Sequence, residues 1–150
     1  MARYLLVAHQ TAACDELLEA ARQLSREDSR AEFVLVVPAT PVGSLLVWEE
    51  GETNEVARSH AAGGRARLES AGLRVIDARI GDQDPMAAIA DELQAGRRYA
   101  AIVVSTLPAG LSRWLRMDVL SRLRRNFPGH RVLHVTAQAP AAQTGQVAAR

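Results

Sequence analysis

Five short apolar runs recur along the chain, at Tyr4 to Ala8, Phe33 to Val37, Leu73 to Ile80, Ala100 to Val104 and Arg131 to Val135, with helix-spaced stretches between them. Parallel strands need a crossover of a dozen or more residues, and a helix is the usual crossover, so this alternation points to a βαβ architecture. Runs such as Phe33-Val34-Leu35-Val36-Val37 and Ile102-Val103-Val104 are apolar without alternation. Strands of that kind suit a parallel sheet covered on both faces. The expected fold class is α/β, a doubly wound parallel sheet.

The stretches between the runs carry helical stripes. Leu17, Leu18, Ala21 and Leu24 share one face, Met86, Ile89, Ala90 and Leu93 another, and Leu111, Leu115, Val119 and Leu123 line a last helix that Pro128-Gly129 ends. Asp84 is placed to cap a helix whose first turn takes Pro85, where a missing N–H costs nothing. The stretch from about Thr53 to Ala71 is the weakest, because Gly63-Gly64 lies inside it and each glycine costs ~1 kcal/mol relative to alanine. Close packing of that helix on the sheet would justify them. From Gln138 onward too few large apolar groups remain to join a core, so 1–137 reads as the domain and 138–150 as a loose tail.

With 150 residues there is room for one domain, able to bury roughly 70% of its unfolded surface without a disulfide or metal. Cys14 is the only cysteine, and the four histidines do not fall at zinc-finger spacing. All 18 basic residues are arginine, which excludes a P-loop lysine, a Schiff-base or pyridoxal lysine and the strand lysine of a protein kinase. A GC-rich coding bias explains that absence without functional content. The net charge of +1 argues against nucleic acid as the main partner. Tyr4 to Ala8 is too short for a signal segment and no apolar stretch approaches ~20 residues, so the expectation is a cytoplasmic chain with no membrane partner.

Doubly wound sheets bind ligands outside the carboxyl ends of their strands. The residues there are His9, Gln10 and Thr11 after the first run, Val37, Pro38, Ala39 and Thr40 at the end of the second, and Ser105 and Thr106 after the fourth. This polar, uncharged rim offers hydrogen bonds but no evident nucleophile–base pair, so no enzymatic activity is expected. His9 reads as satisfied by a neighbouring loop, the alternative being a ligand contact that titrates near neutrality. Thr11 reads as the cap of the first helix, the alternative being contact, with Gln10, to a ligand's polar edge. Ser105 and Thr106 have the best case for ligand contact, weighed against hydroxyls that merely satisfy a turn. Cys14 sits in the first turn of the first helix and reads as a small buried hydrophobe rather than an activated thiol.

Arg113, in the first turn of the last helix, opposes the helix dipole; a bound anion would rationalise it, and a solvated arginine is the plainer reading. Arg116, Arg122, Arg124, Arg125 and Arg131, opposed locally only by Asp118, read as a solvated face, with Trp114 and Phe127 as core. His130 and His134 match neither helical metal spacing nor a catalytic arrangement. The connection from Pro38 to Gly51 is longer than most and carries Leu45-Leu46-Val47-Trp48, which must cover the protein's own surface, the crevice or a partner subunit.

In order and spacing, the run from Leu73 to Val135 resembles the C-terminal half of the universal stress protein family. It has the strand ending near Gly81, the Asp84-Pro85 helix start, the strand Ile102-Val103-Val104-Ser105, the segment Gly110-Leu111-Ser112-Arg113-Trp114-Leu115, and the strand Val132-Leu133-His134-Val135. Leu5 to Thr11 and Val36-Val37-Pro38 match that family's first two strands more loosely, so the resemblance spans about residues 3 to 136. It implies a five-stranded sheet in the order 3-2-1-4-5, a homodimer along the fifth strand, and a stress-response or regulatory role. It also implies a ligand region at His9, Gln10, Thr11, Val37, Thr40, Ser105, Thr106, Gly110, Ser112 and Arg113. The family's ATP-binding members carry G-x2-G-x9-G followed by Ser or Thr, glycines that let backbone amides approach phosphates. Those positions fall here on Val104, Leu107, Met117 and Asp118, so none is kept. A carboxylate in place of the hydroxyl repels a triphosphate by roughly 1 to 4 kcal/mol at ~4 Å. The first-strand acid often found in that family is His9 here. ATP and AMP are therefore disfavoured as ligands, and recognition of a nucleotide or adenosine through Thr11, Val37, Ser105 and the long connection is the alternative.

Overall fold

The computed structural model describes residues 2–39, 50–108 and 112–138. Along the chain lie β1 (Arg3–Val7), α1 (Asp15–Glu27), β2 (Glu32–Pro38), α2 (Glu50–Ser70), β3 (Arg74–Gly81), α3 (Pro85–Gln94), β4 (Ala101–Thr106), α4 (Arg113–Arg116), α5 (Val119–Asn126) and β5 (Arg131–Thr136). The five strands form one sheet in the order β3-β2-β1-β4-β5, every pairing parallel. Central β1 registers Leu5 against Val34 and Ile102, and Leu6 against Leu35 and Val103. The continuous apolar runs are explained by cover on both sides. Tyr4, Leu6, Phe33, Leu35, Ala101 and Val103 pack with α1 and α2. Leu5, Val7, Val34, Val36, Ile102 and Val104 pack with α3, Trp114 and α5. The outer strand β5 is only partly covered, at Val132, Leu133 and Val135.

The Asp84 carboxylate caps α3 as expected, accepting from the Met86 amide at 3.0 Å, with Pro85 in the first turn. α2 tolerates its glycine pair for the reason foreseen, but at one position only. A Cβ on Gly64 would stand 2.7 Å from the Ala12 carbonyl oxygen and 2.9 Å from Leu35 Cδ2, whereas one on Gly63 would meet nothing within 4 Å. The single last helix expected from Leu111 to Leu123 is corrected to two. Asp118 adopts a left-handed conformation at φ 56°, which ends the short α4 and starts α5. Aspartate visits that region more readily than most residues, and its carbonyl starts the new helix by accepting from Arg122. Trp114 is buried and Phe127 packs against the same cluster, so both are core. Among the described residues no helix is long and apolar enough to cross a membrane. The reading of the connection from Pro38 to Gly51 falls largely on residues 40–49, outside the described residues, as does nearly all of the 138–150 tail.

Candidate functional site

β1 and β4 are neighbours in the sheet, so the chain segments leaving their carboxyl ends meet. The connection after β1 is folded by its own amides: Ala12 N–H donates to the His9 carbonyl at 3.2 Å and Cys14 N–H to the Thr11 carbonyl at 3.1 Å. These turns bring the Thr11 hydroxyl to 2.6 Å from that of Ser105, both side chains being buried. The expected cap is therefore corrected. Cys14 caps α1, its Sγ accepting from the Leu17 amide at 3.3 Å, because the Thr11 hydroxyl is engaged across the sheet instead. Burial pushes the Cys14 thiol up, so it is no activated thiolate.

His9 departs from expectation twice. No loop satisfies it: among the described residues its buried Nε2 has no hydrogen-bond partner, and its ring instead faces His60 of α2 at a centroid distance of 5.0 Å. Nor does it titrate near neutrality, since burial first and His60 second push its pKa down to about 4. Gln10 is exposed beside it.

Ser105 and Thr106 part company because successive strand residues point to opposite faces. Ser105 meets Thr11, while the Thr106 hydroxyl lies 2.8 Å from Nε2 of His134 on β5. A hydroxyl against an imidazole is the arrangement of a base-activated nucleophile. Here Thr106 is only 3% exposed, and among the described residues the charged group felt by His134 is the Arg124 guanidinium rather than an orienting carboxylate. Burial and Arg124 both hold the His134 pKa below its ordinary value.

The remaining candidates scatter. Val37 is wholly buried in β2, paired with Ile80, so its side chain belongs to the core. Ser112 is buried, its hydroxyl accepting from the Leu115 amide at 3.2 Å at the start of α4. Arg113 opens α4, and its side chain lies outside the described residues, as do Thr40 and Gly110. Of the positions aligned with the glycine motif, Val104 is a fully buried strand residue and Asp118 is exposed. His60 carries no local motif in the sequence, and His134, which matches neither metal spacing nor a catalytic arrangement there, gains its partner Thr106 only when β4 and β5 pair. The one trace of His60 was its place four residues before Gly64, on the helix face that touches the β1–α1 connection.

A second polar cluster involves residues of α3 and β3 and the segment before β4. The buried Glu92 carboxylate takes Nη2 of Arg79 at 2.5 Å on both oxygens and the Tyr99 hydroxyl at 2.6 Å, with Arg97 Nη1 at 3.6 Å. Burial and Glu92 push the Tyr99 pKa up to about 12. Among the described residues, no group of three or more His, Cys, Asp or Glu side chains could hold a metal ion.

No protein-family model and no curated protein matches the chain. Solved structures do. A protein from the universal stress protein family of Burkholderia pseudomallei superimposes with a TM-score of 0.51 at 19% identity, over 87% of this chain and 93% of that one. A universal stress protein solved in complex with cAMP superimposes with a TM-score of 0.52 at 17% identity, over 89% of this chain and 96% of that one. The chain thus carries the fold of the universal stress proteins, with the strand order expected of it.

Proposed function

We propose that the chain is a universal stress protein-like regulatory module of the cytoplasm, non-enzymatic, whose strand-end crevice is an altered nucleotide pocket that does not hold ATP tightly. The observation that carries this reading is the Thr11–Ser105 contact: the two hydroxyls best placed to meet a ligand are buried and bonded to each other at 2.6 Å. A ligand must break that bond before it gains one. The loss of the glycines at Val104, Leu107 and Met117 supports the same conclusion, because a Cβ at each keeps phosphates from the backbone. The buried Thr106, beside a histidine with no orienting carboxylate among the described residues, supports the non-enzymatic role.

A second reading, a sensor for AMP, cyclic AMP or adenosine, is favoured by the unpartnered His9 Nε2 and by the relative solved with cAMP. Thermal melts separate the two. A ligand at ~100 times its dissociation constant adds about 2.7 kcal/mol, or roughly 5 to 10 °C for a chain of this size. ATP should give no such shift. A shift with AMP or adenosine, absent with sulfate and inorganic phosphate, would establish the sensor reading, and a shift with ATP would overturn the first.

We also propose pairing of two copies along β5, an edge strand whose Val132, Leu133 and Val135 are half-buried. Light scattering at tens of micromolar should give twice the chain's mass. A monomeric mass would contradict it.

A further inference from the structure

We propose that the His9–His60 contact is an acid-sensitive latch: it holds α2 against the β1–α1 connection while both rings are neutral, and lets the helix go when they are protonated. The contact lies at a true helix–sheet interface. One turn beyond His60, Gly64 brings the α2 backbone so close to the Ala12 carbonyl that a Cβ would not fit, and Ala57 and Ala61 are buried on the same face. His9 closes the first turn of the connection through its carbonyl, is 7% exposed, and leaves Nε2 without a partner among the described residues.

A neutral imidazole in this position already leaves one nitrogen unsatisfied. A proton on it adds a charge and a buried donor, and nothing described around it answers either. α2 offers His60, a group of the same sign when protonated. α1 offers the Cys14 thiol, held protonated by burial, with Glu16 beside that thiol rather than acting on His9. β4 offers the uncharged Ser105, and the end of β2, Val36 to Ala39, has no titratable group. Burial lowers the pKa of both rings, in keeping with an interface built for neutral imidazoles.

The helix yields rather than the strand because the two are anchored unequally. β1 is the central strand, paired on both sides, and Leu5, Leu6 and Val7 are completely buried. Around the latch α2 contributes Ala57, Ala61 and Gly64, small groups that remove little apolar surface from water, whereas its firmer anchors lie toward its end, where Leu68 is buried and Arg67 reaches Asp15 and the Ala13 carbonyl. Loosening the stretch of α2 around His60 lets both rings reach solvent while Leu68, farther along the helix, stays in the core. The signs follow. A base whose folded pKa lies below its free value stabilises the closed form fully above that free value, ~6.5, and loses this progressively as the pH falls toward ~4. The latch stands whether or not the crevice takes a nucleotide, since it is tested with no ligand present.

Amide hydrogen exchange of the whole chain, corrected for intrinsic rates, reads the latch directly. Between pH ~7.5 and ~5 the α2 amides over 57–64 should lose protection by about 30-fold or more, while α3 changes by less than ~3-fold. His9→Phe should abolish the response and His60→Gln should reduce it. The latch is overturned if α2 keeps its protection at pH ~5, if α2 and α3 lose protection together, or if the α2 response persists undiminished in His60→Gln, the half-buried and milder substitution.

Discussion

Glu92 and the Thr11–Ser105 pair are both buried polar features of one domain, and they meet the cost of burial in opposite ways. Glu92 gathers Arg79, Arg97 and Tyr99 around its carboxylate. The hydroxyl pair avoids charge altogether and closes on itself, beside two histidines kept neutral by burial. The charged cluster is the more conspicuous, yet its principal groups are engaged with one another, so it acts as a clasp between α3, β3 and the approach to β4. The neutral crevice is quieter, and among the described residues its His9 Nε2 lacks any partner, whereas Arg97 Nη1 of the charged cluster, also without a hydrogen bond, still has Glu92 as its ion partner at 3.6 Å. Conspicuous charge therefore marks the framework here, and the place to look for a ligand is the neutral end of the sheet.

The largest expected effect falls on the clasp. Glu92→Gln should cost about 2 to 4 kcal/mol, because it removes the buried carboxylate that Arg79, Arg97 and Tyr99 share and leaves the two arginines only the half-buried Asp77 as counter-charge. Denaturant unfolding measures it, and a loss below ~1 kcal/mol would erase the distinction between clasp and crevice. Next come the glycines of α2. Gly64→Ala should destabilise by roughly 1 to 3 kcal/mol despite a better helix propensity, because its Cβ meets the Ala12 carbonyl and Leu35. Gly63→Ala, in open space, should stabilise by up to ~1 kcal/mol. Equal behaviour at the two positions would mean that α2 does not press on the β1–α1 connection. The smallest loss of stability belongs to the hydroxyls. Ser105→Ala and Thr11→Val should each cost about 1 to 2 kcal/mol by orphaning the partner, and the double variant should cost less than the sum. A double-mutant cycle with no coupling would break the picture of a self-closed crevice.

What the sequence made legible follows from period and locality. Continuous apolar runs marked β1, β2 and β4 because burial on both faces leaves no alternation to obscure them, the edge strands β3 and β5 showed as mixed runs, and Asp84-Pro85 marked α3 because a cap is read within three residues. Thr11 was misread for the same reason. Capping is a local rule, and the partner that claims its hydroxyl is Ser105, 94 residues away. The His9–His60 contact and the Glu92 cluster are likewise long-range. Each needs two elements placed side by side before either residue means anything. The opposite fates of Ser105 and Thr106 were within reach, since strand alternation alone separates them. The break at Asp118 was not, because the stripe Leu115, Val119, Leu123 continues through it and a single left-handed residue leaves the spacing intact.

We propose that the strand-end hydroxyls are spent on each other and that the crevice lacks the glycine loop a triphosphate would need. Isothermal titration of the full chain with ATP and Mg²⁺ at neutral pH tests it most directly. The predicted result is a dissociation constant weaker than ~10 µM, less favourable than about −7 kcal/mol; tighter binding would contradict it.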